Sequence, residues 1–309
     1  MATSYFAGSG ALQSLTTGTD NTIIGVNAGF KITDISRSII LGTEAVTNAT
    51  IAGNDSIAIG YRSLRNLDIG ERNIGIGTSS FGTGTITGQD NIGIGYSVGN
   101  NLTSGIGNIG IGSFAIGNGI TIGQYNVGIG ISTIDELTSG DNNIAIGQTA
   151  GQNINDGFNN VILGNAAMSG VFANSGSNNV VMGTNAGENI SFGTNNTLIG
   201  QNSGQNITIG SDNINIGTNT GDEITTGNNN VFIGINTGIG LGNISDRLLI
   251  GSSTTNIIDG DFLTGDMTTG GNMTTGGNIT TPGYVELTDI ASPGAPGSTL
   301  GRLYTKTGT

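Results

Sequence analysis

The sequence lacks the residue types on which most catalytic and metal-binding chemistry depends. It contains no Cys, no His and no Trp, and only 9% of its 309 residues are charged. Without Cys there is no disulfide framework, thiol nucleophile or thiolate zinc site. Without His the commonest general base and the commonest metal ligand are both missing. We therefore expect no enzyme, and we predict no catalytic, cofactor-binding or metal-binding residues.

Basic residues are also scarce. Eight Lys and Arg stand against 21 Asp and Glu, which gives a net charge of −13, and residues 73–246 contain no Lys or Arg. A chain of this sign is repelled by phosphate backbones, so nucleic acid is not an expected partner. No run approaches the roughly 18 apolar residues of a spanning helix, so no membrane insertion is expected. The first residues, MATSYFAG, show no secretory signal pattern.

Glycine is abundant and proline is rare, with 58 Gly against 3 Pro. Collagen is excluded because Gly does not occupy every third position. Disorder is disfavoured because the apolar residues recur at regular intervals instead of being sparse.

The dominant pattern is an internal repeat built on Asn-Ile-x-Ile-Gly, as in residues 73–77, 91–95 and 143–147. Its closing glycine recurs every 17 to 19 residues, at Gly25, Gly42, Gly60, Gly77, Gly95, Gly112, Gly130, Gly147, Gly164, Gly183, Gly200, Gly217, Gly234 and Gly251. Gly8 closes a degenerate first copy. The period predicts about fifteen units over residues 1–251.

Each unit has the features of one solenoid coil. Apolar residues alternate in the Asn-Ile-x-Ile-Gly segment with the period of a strand, and a second short extended segment follows about seven residues later. Gly, Asn and Asp between them suit corners that need left-handed backbone. We predict an all-β fold, a parallel β-solenoid (β-roll) of about fifteen 17-residue coils with two short strands each, left-handed and trimeric.

The alternation within the strand predicts which side chains face inward. We expect the two Ile or Val columns, such as Ile74 with Ile76 and Ile92 with Ile94, to form the dry interior. The residue between them is small in the middle coils (Gly75, Gly93) and bulky elsewhere. We expect it to point outward and to pack against other copies of the chain, because a soluble monomer should not present such a line to water.

Polar columns carry further expectations. The repeated Asn before each strand, as at Asn73 and Asn91, predicts side-chain amide ladders along the stack. A second column alternates Asp with Asn, with Asp at Asp20, Asp55, Asp90 and Asp212. Calcium coordination is conceivable there, but a turn column that avoids stacked like charges is favoured. Arg62, Arg65 and Arg72, with Lys31 and Arg37, form a basic group that either docks an acidic partner or balances nearby carboxylates.

These repeats resemble those of a known family. The segments 143–147, 55–60 and 91–95 resemble the head repeats of trimeric autotransporter adhesins, whose parallel β-rolls associate as trimers. The resemblance covers about residues 1–251 and implies a homotrimer. The repeats here are longer, and the signal peptide and membrane barrel of such adhesins are not evident, which makes viral and phage fibre proteins with similar long repeats the nearer comparison.

The period changes after Gly251. Residues 266–271, 272–277 and 278–283 form a six-residue repeat with one apolar residue each, too few to bury within a single chain. We expect an interwound trimeric β shaft over residues 252–286, and a Pro/Gly linker or the start of a distal domain over residues 287–309. The Pro-x-x-Pro segment leading into Gly-Arg-Leu-Tyr resembles a junction of phage tail-fibre proteins.

The function expected from these features is mechanical. A structural fibre of a phage-like particle, assembled in the host cytoplasm and located in the virion, would space a virion or baseplate protein at one end from a host-surface glycan or protein receptor at the other. The alternative is a bacterial cell-surface or extracellular filament adhesin. Ice binding is a minor option, because Thr often follows the apolar residue of the second segment, as at Thr33 and Thr208.

Overall fold

A computed structural model describes residues 4–48, 53–117, 122–170, 174–253 and 255–269. All of these belong to one compact unit that extends to Gly271. The described residues form strands and turns and no helix, so none of them makes a helix long and apolar enough to cross a membrane.

Fifteen equivalent strands follow one another at the sequence period, and each pairs in parallel with the next. All but the last have three residues: β1 Tyr5–Ala7, β2 Thr22–Ile24, β3 Ile39–Leu41, β4 Ile57–Ile59, β5 Ile74–Ile76, β6 Ile92–Ile94, β7 Ile109–Ile111, β8 Val127–Ile129, β9 Ile144–Ile146, β10 Val161–Leu163, β11 Val180–Met182, β12 Thr197–Ile199, β13 Ile214–Ile216, β14 Val231–Ile233 and β15 Arg247–Ser252. Equivalent positions are direct partners, as in Gly75 with Gly93 and Ile76 with Ile94. The predicted parallel β-solenoid is confirmed.

The parallel ladder ends in an antiparallel meander. β15 pairs with β14 in parallel on one side and with β16, Thr255–Asp261, in antiparallel fashion on the other. β17, Met267–Thr269, pairs antiparallel with β16. These strands cover the described part of the segment expected to be a shaft. The rest of that segment and residues 287–309 lie outside the described residues.

Each coil contains one strand, and the expectation of two is wrong. The second segment pairs between coils only at isolated bridges, such as Leu67 with Ile86 and Ile154 with Asn174. Hydrogen bonds from the Thr16 and Thr17 N–H groups to the Thr33 carbonyl (2.9 and 3.0 Å) also join it to its neighbours. Because neighbouring N–H groups share one carbonyl in this way, the segment does not form a regular ladder.

The strand faces are the reverse of the prediction. The middle residue of each strand from β2 to β14 points inward, with Ile23, Ala145, Ile162 and Leu198 all fully buried, whereas Phe6 in the first strand is 57% exposed. The flanking Ile and Val residues, expected to form the interior, point outward. The opposite side of the interior comes from the second segment, whose Leu67, Ile154 and Ile207 are also fully buried, together with small corner residues such as Ala186. Alternation along a strand means that the middle residues and the flanking residues face opposite ways, but it does not determine which of the two sets lies inside.

In most coils the interior is filled by compensation between two positions, the first of which is the middle residue of the strand; both positions are large in the coils of Ile40 with Val46 and of Ile162 with Met168. The second is the corner residue six positions after the strand's middle residue, and it adopts positive φ throughout the series. Where the middle residue is large, as in Val181 or Leu198, this corner residue is Gly187 or Gly204. Where the middle residue is Gly75, Gly110 or Gly128, the corner carries a bulky side chain.

The bulky corner residues adopt a strained backbone conformation, and their side chains fill the interior of the coil. Phe81, Ile116 and Ile134 follow Gly75, Gly110 and Gly128, and their φ values are 53°, 53° and 47°. The left-handed conformation costs an L-residue about 1–2 kcal/mol, whereas an unfilled interior costs several.

The Phe81 side chain fills interior space in two successive coils. In the coil after Phe81 both interior positions are glycine, Gly93 and Gly99. A Cβ added at Gly93 would come within 2.7 Å of the Phe81 ring, and one at Gly99 would also meet it. The ring therefore occupies the space that the next coil leaves open.

A buried asparagine ladder runs beside the strands, as predicted. Asn126 illustrates the unit: its Oδ1 accepts bonds from the backbone N–H and the Nδ2 of Asn143, at 2.9 and 3.0 Å. Its Nδ2 donates to the Asn108 Oδ1 and to the Gly140 carbonyl. The same pattern continues through Asn73, Asn91, Asn108, Asn126, Asn143, Asn160, Asn179, Asn196, Asn213 and Asn230. Ser38 and Ser56 take this position in two earlier coils.

Candidate functional site: the outward apolar face

The most unusual surface is the outward side of the parallel sheet, which we call the outward apolar face. It consists of the first and third residues of strands β1 to β14. These are mostly Ile, Val and Leu, because the repeat places an apolar residue on both sides of the inward position. The face follows directly from the Asn-Ile-x-Ile-Gly motif once the middle residue is inside.

Its side chains are substantially accessible to solvent. Ile94 and Ile111 are each 38% exposed, and Ile144 and Ile146 are 40% and 41% exposed. Members at both ends of the stack behave alike, with Ile24 at 41%. Partial exposure here reflects packing between neighbours in the column, while the outer surface of each side chain has no cover within the described chain.

The face is long as well as apolar. Thirteen coil spacings of roughly 4.8 Å, from β1 to β14, and two residues of strand width make a strip of about 62 Å by 7 Å, or roughly 430 Å². The largest patches on ordinary monomers reach about 300–600 Å² and are themselves often functional. The strip falls within this range and is continuous over fourteen coils, which favours a surface that associates.

A column of corner residues borders the face on the side where each strand begins, and its first members alternate in charge. Asp20, Arg37, Asp55, Arg72 and Asp90 occupy equivalent positions in successive coils and all adopt positive φ between 55° and 63°. Arg37 bonds Asp55 at 2.6 Å, and Arg72 bonds Asp90 at 2.6 Å. Hydrogen bonds from Arg37 and Arg72 lower the pKa values of the Asp55 and Asp90 carboxyls.

Later members of this column are mostly amides. Asn159 donates to Asn178 at 3.2 Å, Asn195 donates to Asp212 at 3.0 Å, and Asn229 bonds Asp246. The expectation of a turn column is confirmed, because each of these residues has the left-handed backbone of a corner. Within the described residues, no group of three or more acidic side chains is arranged to hold a metal ion.

Three of the five residues of the basic group expected near the N-terminal end, Arg37, Arg62 and Arg72, are bonded to carboxylates. Arg62 bonds Glu44 in the preceding coil at 2.7 Å, and Arg72 also contacts Glu71 at 3.0 Å. Together with the Arg37–Asp55 pair, these contacts favour charge balance over a docking site for an acidic partner.

A second column borders the face on the other side, at the residue after each closing glycine. The carbonyl of Tyr61 accepts a hydrogen bond from the Ser79 N–H (2.8 Å), and that of Tyr96 accepts one from the Phe114 N–H (2.9 Å). Successive members are therefore stacked coil upon coil. Tyr61 and Tyr96 are 42% and 51% exposed. We call this column the corner row; its sequence period of two coils was present in the chain but was not recognised from the sequence.

Threonine hydroxyls of the second segment form hydrogen bonds between neighbouring coils. The hydroxyls of Thr16, Thr138 and Thr208 donate to carbonyls of the next coil at 2.9, 3.1 and 3.0 Å. Hydroxyls bonded in this way are poorly available to organise external water, which disfavours ice binding.

Comparison of the chain with protein-family models, with curated proteins and with solved structures finds no match. The resemblance to adhesin head repeats and phage fibres therefore stays a prediction, and the function is argued from the geometry of the stack.

Proposed function

We propose that the protein is a structural fibre of a phage-like particle, a stiff rod of three parallel copies that supports attachment to a host. The observation that carries this proposal is the outward apolar face, which extends along all the parallel coils. Its role is mechanical: continuous backbone ladders and the buried Asn ladder resist bending, and the outward apolar face holds the copies together.

Association through this face differs from the arrangement expected from the sequence. The residues expected to contact other copies, such as Ile162 and Val181, are inside the coil. The flanking columns take their place. Stable interfaces bury about 800 Å² per partner, and the strip supplies roughly 430 Å², about half of that area.

Three copies are proposed because of the C-terminal pattern. Met267 is the apolar residue of the first six-residue repeat and is 57% exposed within the described chain. A repeat with one apolar residue in six can form a core when three chains share it around an axis. Closed cyclic symmetry also keeps association from continuing indefinitely.

Light scattering after size exclusion tests the assembly. The wild-type protein should have about three times the chain mass of 30.9 kDa. An Ile94→Asp/Ile111→Asp variant should dissociate to folded monomers, because two charges enter the apolar contact. The matched control is Ile69→Asp, whose side chain is 61% exposed away from this face; it should keep the wild-type mass. A wild-type monomer would overturn the trimer.

Antibody labelling tests whether the protein is part of a phage-like particle. Antibody against the chain should label fibres on virions in electron micrographs. Labelling of bacterial cell surfaces without virions would instead favour the filament adhesin.

A further inference from the structure

We propose that the N-terminal half of the corner row binds a neutral, extended β-1,4-linked glycan that lies parallel to the stack of coils. This goes beyond the proposed fibre role by locating a ligand site on the side of the stack and naming its chemical class. The juxtaposition that carries it is a line of exposed apolar side chains at every second coil, with small hydroxyl residues between them.

The alternation is regular over seven coils. Val26, Tyr61, Tyr96 and Ile131 occupy the corner row in the second, fourth, sixth and eighth coils, and each is between 42% and 54% exposed. Thr43, Thr78 and Ser113 occupy the coils between them. Hydrogen bonds from Arg62 N–H to the Thr43 carbonyl and from Ser97 N–H to the Thr78 carbonyl hold these residues in the same stacked column.

The solenoid itself does not require this pattern. In the later coils the equivalent residues are Gln148, Asn165, Thr184, Gln201 and Thr218, which are polar, followed by a single apolar residue, Ile235, without alternation. Those coils have the same backbone and the same parallel pairing. The apolar ridges are therefore a feature of one half of the stack, and they expose surface that folding would be expected to hide.

The spacing fits a β-1,4-linked chain of pyranose rings. Two coils of roughly 4.8 Å place the ridges about 10 Å apart, and the four ridges span about 29 Å. In an extended β-1,4 glycan successive rings are turned over, so every second ring presents the same face to one side. The disaccharide unit of such a chain has a length close to the ridge spacing, and a hexasaccharide covers the row.

The side chains present also suit this ligand. The C–H face of a pyranose stacks on the electron-rich face of an aromatic ring, and Tyr adds a hydroxyl. Tyr96 is held in place by an edge-on contact with Phe114, with ring centres 5.2 Å apart. The hydroxyl side chains of Thr43 and Thr78 are exposed between the ridges and offer hydrogen bonds to sugar hydroxyls.

A neutral glycan is favoured over an acidic one. The Arg62 guanidinium lies over the Tyr61 ring at 4.7 Å and is bonded to Glu44. Its charge is thereby balanced by a neighbouring carboxylate, and the chain as a whole carries a net charge of −13.

Calorimetry with the full-length protein tests the site, using cellohexaose and chitohexaose as probes. At least one should bind, whereas maltohexaose, whose α-1,4 linkage curves the chain, should not. A Tyr61→Thr/Tyr96→Thr variant should bind at least about tenfold more weakly, because each lost ring removes a stacking contact. Threonine already occupies this position in neighbouring coils, so the variant should fold.

The matched control is Ile235→Thr, at the same corner of a coil outside the alternating row and 62% exposed; its affinity should equal that of the wild type. Absence of binding to both β-1,4 hexasaccharides, equal binding of maltohexaose, or unchanged affinity in the double tyrosine variant would overturn the proposal. So would a change in oligomeric mass of that variant, since the row would then belong to the contact between copies. Wild-type mass, measured separately, reports on the fibre proposal.

Discussion

At the scale of single residues, the inward middle positions of β2 to β14 have one polar member. Asn215 takes the inward middle position of β13 and is fully buried. Neither its Oδ1 nor its Nδ2 has a hydrogen-bond partner among the described residues. The corner residue of that coil is Gly221, whose backbone lies directly against the Asn215 amide.

Replacing Asn215 with Leu should therefore stabilise the fold. Leu198 fills the equivalent position one coil earlier, opposite Gly204, so the larger side chain is compatible with this kind of coil. Removing an unsatisfied buried amide should raise the free energy of unfolding by about 1–3 kcal/mol. Denaturant titration measures the change, and a destabilised Asn215→Leu variant would show that the amide has a partner that it needs.

Substitution of a closing glycine should destabilise the fold, in contrast to the substitution of Asn215. Gly77 has a φ of 128°, and a Cβ there would collide with the Gly95 carbonyl of the next coil. Gly77→Ala should cost about 3 kcal/mol or more, from backbone strain together with a forced separation of two coils.

Gly242 is the matched control for that substitution. It also has positive φ, 63°, but a Cβ there would meet nothing within 4 Å. Gly242→Ala should cost only the left-handed penalty of about 1–2 kcal/mol. Thermal unfolding of both variants measures the difference, and equal losses would mean that the collision between coils is relieved at little cost.

At the scale of the repeating element, the Asn ladder joins each coil to the next. Asn126→Ala would leave the Asn143 backbone N–H and one of the two N–H groups of its side-chain amide without an acceptor, and the Gly140 carbonyl without its donor. We expect a loss of at least about 2 kcal/mol in unfolding free energy, because each unsatisfied buried group costs about 1–3 kcal/mol.

Asn126→Ser provides the comparison. Ser56 already occupies this column, and its hydroxyl accepts the Asn73 N–H at 3.2 Å. The serine variant should therefore recover part of the loss in denaturant titrations. If Asn126→Ala and Asn126→Ser lower the free energy of unfolding equally, the serine hydroxyl does not stabilise the fold as an acceptor.

The coil is also the unit of insertion and deletion. Removing residues 197–213 takes out one whole coil and joins Asn196 to Ile214, so every remaining side chain keeps its face. Removing only residues 197–204 deletes a strand and shifts the following segment out of register. Circular dichroism and thermal unfolding should show a folded protein in the first case and a disrupted one in the second; identical behaviour would contradict the coil assignment.

At the scale of the whole molecule, the alternating charges make stability depend on pH. The pKa values of Asp55 and Asp90 are lowered by hydrogen bonds from Arg37 and Arg72. A carboxyl with a folded pKa below its unfolded value stabilises the fold above the unfolded pKa of about 3.9, and the effect is lost as the pH falls through the folded pKa. An Arg37→Gln/Arg72→Gln variant should lose less melting temperature than the wild type between pH 7 and pH 2.

Asp222 provides a control of opposite sign. Burial, and secondarily Glu223, raise its pKa, so its ionised form opposes folding at neutral pH. Asp222→Asn should raise the melting temperature at pH 7 and change it little at pH 2.

For the arginine pairs, the contradicting outcome is an equal fall in melting temperature with pH for the wild type and for Arg37→Gln/Arg72→Gln. Such parallel pH profiles would show that the exposed pairs contribute nothing to stability.

Sequence alone determined the period, the parallel pairing, the corner residues and the Asn ladder. These follow from spacing and from the conformations that Gly, Asn and Asp tolerate, which are local properties. The alternation in Ile74-Gly75-Ile76 likewise determined that adjacent side chains face opposite ways. It did not determine which way, because a stripe of isoleucine can lie in the interior of its own coil or against another copy.

Tertiary structure decided that question through volume. The interior is narrow, and the second segment and corner residues such as Phe81 and Ala186 occupy most of it, which leaves room for one strand side chain per coil but not two. The compensation of Gly75 by Phe81 and of Val181 by Gly187 joins residues six positions apart, and it acquires meaning only once the corner is known to point inward. For the same reason the outward apolar face and the ridges of the corner row became visible only when the coil was closed.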